Sequence, residues 1–301
     1  MDTFTSFPSY DGTRLAFRTL GGGPPLVCLP GGPGRAAAYL GDLGGLGAHR
    51  TLVLPDTRGT GASAGSADPT AYRVDRLVAD VEALRRRLGL DRIDLLGHSA
   101  GGSLALLYAA AHPERLASLT LVTPSFAAVG LPSDTGAEEV IAARAAEPWH
   151  PEAVAAYRRM KAARSFAEAA PHRLAFEPLM YGRWDSAARA HAAADPAQRS
   201  LTVSEHFYAG YRPDGEDLRR RLAGLTCPVH LLAGELDLWP TATAAADAAA
   251  LFPEVSLTVQ PGAGHYPWLD DPRAFTAAVG GFLADLEGAR LEGAPSRRAS
   301  L

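Results

Sequence analysis

The sequence predicts an α/β protein: a mostly parallel sheet flanked by helices, with a helical segment inserted late in the chain. Three observations carry that expectation. Ile93-Asp94-Leu95-Leu96 is a short apolar run suited to a buried strand, and an Ala- and Leu-rich helical run over 103–108 follows it across Gly97-His98-Ser99-Ala100-Gly101. Strand-like and helix-like runs alternate before residue 125 and again after 221, the pattern that builds parallel sheets from strand-helix-strand units. Between those positions the strands stop and helical signals dominate. The expected division is a core of 1–124 and 222–286, a helical cap over 125–221, and a disordered tail over 287–301, where Gly, Arg, Ser and Pro collect.

At 301 residues the chain can bury a sizeable core without disulfides. Its net charge of −4 gives no electrostatic reason for a nucleic-acid or anionic-membrane partner. The two cysteines, Cys28 and Cys227, each sit beside an expected core strand and read as free buried thiols rather than a disulfide or a metal site. Residues 1–5 lack the basic and apolar parts of a signal peptide, and no apolar run approaches a membrane span. A cytoplasmic protein without metal or cofactor is expected, its oligomeric state left open.

Taken in order, 3–8 and 14–20 alternate around the turn dipeptide Asp11-Gly12 and predict an antiparallel pair. Residues 25–29 form a buried strand that opens into Pro30-Gly31-Gly32-Pro33-Gly34, a loop able to offer only backbone N–H groups. The strand over 51–55 runs into Asp56-Thr57-Arg58-Gly59, where Asp56 and Arg58 are expected to form an ion pair that pins the loop. Val74, Leu77, Val78, Val81, Leu84 and Leu88 recur at helical spacing, with Arg85, Arg86 and Arg87 in the last turn and Gly89 as the stop. A strand follows over 116–123. In the insertion, Thr135 and Glu138 have capping-box spacing, Pro151 suits a first helical turn, and the aromatic residues mix cap core with pocket lining. Strands over 229–233 and 255–259 flank a helix over 241–251. A last helix starts at Asp271-Pro272 with Phe275, Val279, Phe282 and Leu286 on its buried face.

A serine on a sharp strand-to-helix turn needs small neighbours, and Gly97, Gly101 and Gly102 supply them. Its hydroxyl becomes a nucleophile only if an imidazole takes the proton and an acid fixes that imidazole. In parallel sheets such groups gather after strand C-termini. Two loops qualify, Gly234-Glu235-Leu236-Asp237 and Gly262-Ala263-Gly264-His265. Of nine histidines, His265 alone occupies such a loop, while His98 sits on a turn that points its side chain away from that of Ser99. Asp237 is favoured as the acid, with Glu235 as the alternative.

With Ser99, Asp237 and His265 in that order, the chain resembles the α/β-hydrolase superfamily over nearly all of 3–286. More narrowly it resembles the prolyl aminopeptidase (proline iminopeptidase) branch through Gly31-Gly32-Pro33-Gly34 and the Asp56–Ser63, Gly97–Gly102, Gly234–Asp237 and Gly264-His265 motifs. The pattern departs at Pro30, where many members carry histidine, and at His98 and Ala100, which replace a glycine and a tryptophan and remove a bulky wall. The resemblance implies metal-free release of an N-terminal residue from short peptides, arylamides or amino-acid esters. Ser99 would be acylated, His265 would act as base and then acid, and Asp237 would orient it. The N–H groups of Ala100 and Gly32, with Gly31 as neighbour, would form the oxyanion hole. Glu205 resembles the cap carboxylate that holds the substrate's ammonium group. Trp239 and Trp268 are expected either to flank the site or to pack in the core. An esterase, lactonase or thioesterase would use the same machinery without Glu205, and a ligand-binding protein of the same fold is a third reading.

Overall fold

The computed structural model describes residues 4–292. A hairpin of β1 (Thr5–Pro8) and β2 (Arg14–Gly21) opens the chain, with Gly12 at φ +82° in its turn. Then come β3 (Pro25–Leu29), β4 (Thr51–Asp56), α1 (Val78–Arg87), β5 (Ile93–His98), α2 (Ala100–Ala111) and β6 (Leu116–Val122). The segment before the next strand carries helices and no named strand: α3 (Ala137–Ala143), α4 (His150–Ala162), α5 (Phe166–Phe176), α6 (Ser186–Ala193), α7 (Asp195–Gln198), α8 (Leu201–His206) and α9 (Gly215–Leu222). The chain closes with β7 (Val229–Gly234), α10 (Ala242–Ala249), β8 (Val255–Gln260), α11 (Pro267–Asp270) and α12 (Pro272–Glu292).

The strands form one sheet in the order β1-β2-β4-β3-β5-β6-β7-β8, antiparallel at the β1, β2 and β4 pairings and parallel from β4 onward. Side chains alternate across it. Val27, Leu95, Leu119 and Leu231 pack with α1 and α2 on one face. Leu26, Leu96, Val122 and Leu232 pack with Phe275, Val279 and Leu283 of α12 on the other. Every residue of β5 is therefore buried, which is why its sequence reads as an apolar run rather than an alternation.

Four expectations change. The last helix does not stop at 286 but runs to Glu292, because Glu287 pairs with Arg50 at 2.7 Å and Arg290 with Asp94 at 2.8 Å. Residues 293–301 of the expected tail lie outside the described residues. At the ends of the 125–221 segment, Phe126, Ala128, Val129 and Leu218 pack into the cluster that holds α2, so the insertion proper is narrower than that interval. No capping box forms at α3, whose cap is Gly136 at φ +82°, while the Thr135 carbonyl accepts from Thr241 Oγ1.

Asp56 and Arg58 do not pair. Asp56 accepts from the N–H groups of Ala37 and Ala62, each at 2.9 Å, because β4 delivers it beside the turn before Leu40. Arg58 turns the other way and is 1% exposed. It binds both carboxylate oxygens of Asp80, at 2.7 and 3.1 Å, and Asp11 at 2.7 Å, clamping α1 to the opening hairpin. Removing one partner of a buried pair strands the other's charge. Arg58→Met is expected to lower the free energy of unfolding by about 3 kcal/mol; an unchanged urea midpoint would show that Asp80 does not depend on it.

Candidate active site

Ser99 caps α2 directly after β5, with φ +53° and ψ −123°. A non-glycine residue in that region is strained by about 1–3 kcal/mol and needs its surroundings to hold it. They do so through the backbone. Ser99 N–H donates to the Val122 carbonyl at 3.1 Å, and its own carbonyl accepts from Gly102 and Ser125, each at 2.8 Å. The neighbouring glycine is compelled by space: a Cβ on Gly101 would lie 2.3 Å from the Leu29 carbonyl oxygen. The first turn of α2 can thus sit against the end of β3, beneath the Pro30–Gly34 loop.

Within that loop the two candidate donors separate. Gly31 N–H donates to the Tyr39 hydroxyl at 2.6 Å and is spent. The N–H groups of Gly32 and Ala100 have no protein acceptor among the described residues, and both residues line one cavity with Ser99. Two free donors beside a serine are what an oxyanion hole requires.

Asp237 and His265 meet as expected, Asp237 Oδ2 accepting from His265 Nδ1 at 2.8 Å. Asp237 is fully buried, and its other oxygen accepts from Trp239 N–H at 3.0 Å, so the carboxylate cannot swing. Glu235, the alternative acid, is exposed and accepts from Gly262 N–H at 2.7 Å instead. With a carboxylate at Nδ1, that nitrogen carries the proton and Nε2 is left as a base. His265 lines the cavity with Ser99, and no Ser99–His265 hydrogen bond is present among the described residues. Such nucleophile–base contacts commonly tighten only with substrate.

The cavity has a volume of about 540 Å³ and lies between the strand ends and the inserted helices. Glu205 of α8 lines it, half-buried, with Oε1 accepting from Ala167 N–H at the start of α5 at 2.7 Å. Trp239 also lines it, against Tyr157 and Phe176. Trp268 does not. It is 2% exposed and packs under the site against His98, Tyr266 and Phe275, because α11 turns its first residues into the core. Among the described residues, no group of three or more His, Cys, Asp or Glu side chains is placed to hold a metal ion.

A family profile described as alpha/beta hydrolase fold matches residues 24–272. The chain belongs to that family. It is similar to the proline iminopeptidase of Heyndrickxia coagulans, at 35% identity over 125 residues, which cover 40% of this chain and 43% of that protein. The proline iminopeptidase of Lactobacillus helveticus (strain DPC 4571) is 41% identical over 102 residues, covering 33% and 35%. The matched stretches therefore span less than half the length of these relatives. Among solved structures, an esterase from Rhodococcus sp. ECU1013 superposes with a TM-score of 0.72 at 25% identity, over 94% of this chain and 99% of that one. Mycobacterium smegmatis proline iminopeptidase also gives 0.72, at 24% identity over 96% and 100%, a likeness of fold. No helix among the described residues is long and apolar enough to cross a membrane.

Tyr39, which sequence reasoning did not single out, and His98, which it set aside as the base, connect the loop to His265 in this hydrolase. Tyr39 Oη lies 2.6 Å from His98 Nδ1, and His98 Nε2 lies 2.9 Å from the His265 carbonyl oxygen. A carbonyl only accepts, so Nε2 carries the proton, Nδ1 accepts, and Tyr39 donates. Burial holds His98 well below the usual histidine range, and therefore neutral, and pushes the Tyr39 phenol up. The chain from Gly31 through Tyr39 and His98 to His265 thus ties the Gly31-Gly32 loop to the candidate base. Tyr39→Phe removes two of its bonds, each worth about 1 kcal/mol. Covalent labelling of Ser99 by a fluorophosphonate is expected to slow about tenfold; labelling at the wild-type rate would show that the loop holds without Tyr39.

Proposed function

We propose that this chain is a serine hydrolase working by acyl transfer, and that it is an aminopeptidase releasing an N-terminal proline or small apolar residue from short peptides or amino-acid amides. The observation that carries the first part is Ser99, held at φ +53° in one cavity with two free N–H donors and with His265, which is hydrogen-bonded to the buried Asp237. Glu205 carries the second. Among the described residues it is the one carboxylate lining the cavity, and a half-buried carboxylate there favours a cationic group on the substrate.

In this mechanism Ser99 Oγ attacks the scissile carbonyl carbon while His265 Nε2 takes the hydroxyl proton, and Asp237 stabilises the imidazolium that forms. The oxyanion moves between the N–H groups of Ala100 and Gly32, each donor contributing about 3–4 kcal/mol in comparable sites. The C–N bond breaks as His265 returns the proton to the leaving amine. Water, deprotonated by the same histidine, then releases the acid and restores Ser99. Glu205 pairs with the substrate's ammonium group throughout, so it governs which acyl groups are held rather than the bond chemistry. The likeness to an esterase at 25% identity over nearly the whole chain favours ester hydrolysis as the second reading. For both readings we propose a cytoplasmic setting; two free, buried cysteines suit a reducing compartment.

A matched panel separates them: proline, alanine and leucine arylamides, N-acetylproline arylamide, and p-nitrophenyl acetate and butyrate, with wild type and Ser99→Ala. The aminopeptidase is expected to cleave the free-amine arylamides in a Ser99-dependent manner and to refuse the N-acetyl compound. Glu205→Gln should lower kcat/KM for free-amine substrates about 10- to 100-fold, the loss of a charge-assisted bond, while sparing p-nitrophenyl acetate. Cleavage of the esters alone would establish the esterase.

A further inference from the structure

We propose that Arg173 forms a carboxylate-binding subsite in the cavity and that, together with Glu205, it fits the site to a di- or tripeptide with both termini free. This deepens the aminopeptidase reading and rests on it for the ammonium end. One face of α5 looks into the cavity: Phe166, Ala169, Arg173 and Phe176 recur at helical spacing, and all line it. Arg173 Nε lies 3.1 Å from Asp195 Oδ2 and 3.3 Å from Glu177 Oε1, which pins that edge of the guanidinium. Its two terminal nitrogens make no hydrogen bond among the described residues, and the side chain remains 22% exposed. A planar guanidinium held at one edge presents the remaining N–H groups in the fork that matches a carboxylate.

Charge counting leads to the same conclusion. Arg35, Arg173 and Arg199 converge on Asp195, at 3.5, 3.1 and 2.5 Å, with Glu177 beside Arg173 as the second carboxylate of the group. Three guanidiniums against two carboxylates leave one positive charge over. Neither Glu177 oxygen has a hydrogen bond, and burial pushes that carboxyl toward its neutral acid, which enlarges the excess. Excess charge beneath a cavity wall is relieved by an anion, and of these three guanidiniums Arg173 alone has both terminal nitrogens without a hydrogen bond among the described residues.

The spacing defines the ligand. Glu205 is anchored at Ala167 N–H, near the start of the same helix. From Ala167 to Arg173 the axial rise is about 9 Å at ~1.5 Å per residue. An extended di- or tripeptide spans about 7–11 Å at ~3.5 Å per residue. The ammonium would meet Glu205, the carboxylate Arg173, and the side chains the apolar surface of Phe166, Ala169 and Phe176 between them.

The test compares alanyl-alanine with alanyl-alaninamide, and monomethyl succinate with dimethyl succinate, as substrates of wild type, Arg173→Lys and Arg173→Gln. Wild type is expected to favour the free acid of the cleaved pair about 10- to 100-fold in kcat/KM, and both variants to lose that preference, Arg173→Gln the more fully. Because Arg173→Gln also leaves Asp195 and Glu177 with less compensation, the wild-type comparison and the charge-conserving Arg173→Lys keep the outcome readable if that variant fails to fold. Calorimetric binding of alanyl-alanine and its amide to Ser99→Ala adds a readout independent of turnover, with the acid expected to bind at least tenfold tighter. Equal rates and equal binding for acid and neutral partner would overturn the subsite. Cleavage of the succinates alone, with an Arg173-dependent preference for the monoester, would keep the carboxylate subsite while refuting the aminopeptidase.

Discussion

The site depends on one steric constraint, the approach of the Gly31-Gly32 loop to the Ser99 turn. A Cβ on Gly31 would lie 2.7 Å from Ser99 Cβ and 2.8 Å from the His98 carbonyl oxygen. Real side chains do not tolerate that, so glycine at 31 lets β3 and β5 end side by side with their following turns in contact. Because parallel strands β3 and β5 are adjacent, Gly32 and Ala100 come to line one cavity with Ser99. Preorganised donors cost no reorganisation when charge develops, and in the proposed oxyanion hole that geometry would follow from sheet topology rather than from side chains.

The same loop anchors the insertion. Pro33 O accepts from Arg199 at 2.8 Å and from Ser204 Oγ at 2.7 Å, Ser200 N–H donates to Gly34 O at 2.9 Å, and Ala36 N–H donates to Gln198 O at 2.9 Å. Glu205 follows Ser204 directly, so the carboxylate is registered against the Pro30–Gly34 loop by a hydrogen bond one residue away. Asp195 closes the arrangement. Arg35 from the loop, Arg199 from the insertion and Arg173 from α5 all reach it. The Pro30–Gly34 loop and the inserted helices that carry Glu205 and Arg173 are thus tied into one network.

Local chemistry made the sheet and the strained Ser99 turn legible in the sequence. The apolar run at 93–96, the glycines around Ser99 and the loops carrying Asp237 and His265 each have a single sensible placement in a parallel sheet. What was not legible depends on distant contacts. Nothing beside Tyr39 in the chain signals that its hydroxyl bridges Gly31 and His98. Asp56 and Arg58 are close in sequence and opposite in charge, but the backbone turns them to different partners, so proximity alone misassigned the pair. Trp268 lies three residues after His265, yet a short helix rotates it into the core. The α5 stripe was readable in principle. Phe166, Ala169, Arg173 and Phe176 share one face, and a lone arginine on an otherwise apolar face is the kind of mismatch that marks a buried partner or a ligand.

Acyl transfer does not distinguish an esterase from a peptidase, since nucleophile, base and oxyanion donors act on either carbonyl in the same way. Discrimination has to come from groups that would be left unpaired by the wrong substrate. A pocket that is merely apolar rejects poorly; one methylene is worth about 1–3 kcal/mol. A site with half-buried charges rejects strongly, because a neutral ligand displaces water from them without replacing its bonds. Glu205 and Arg173 stand on one cavity wall in that condition. A neutral ester would desolvate both and compensate neither, whereas a free peptide compensates both at once. On the proposed reading, the charges on α5 and α8, more than the shape of a 540 Å³ space, would set the class of substrate held.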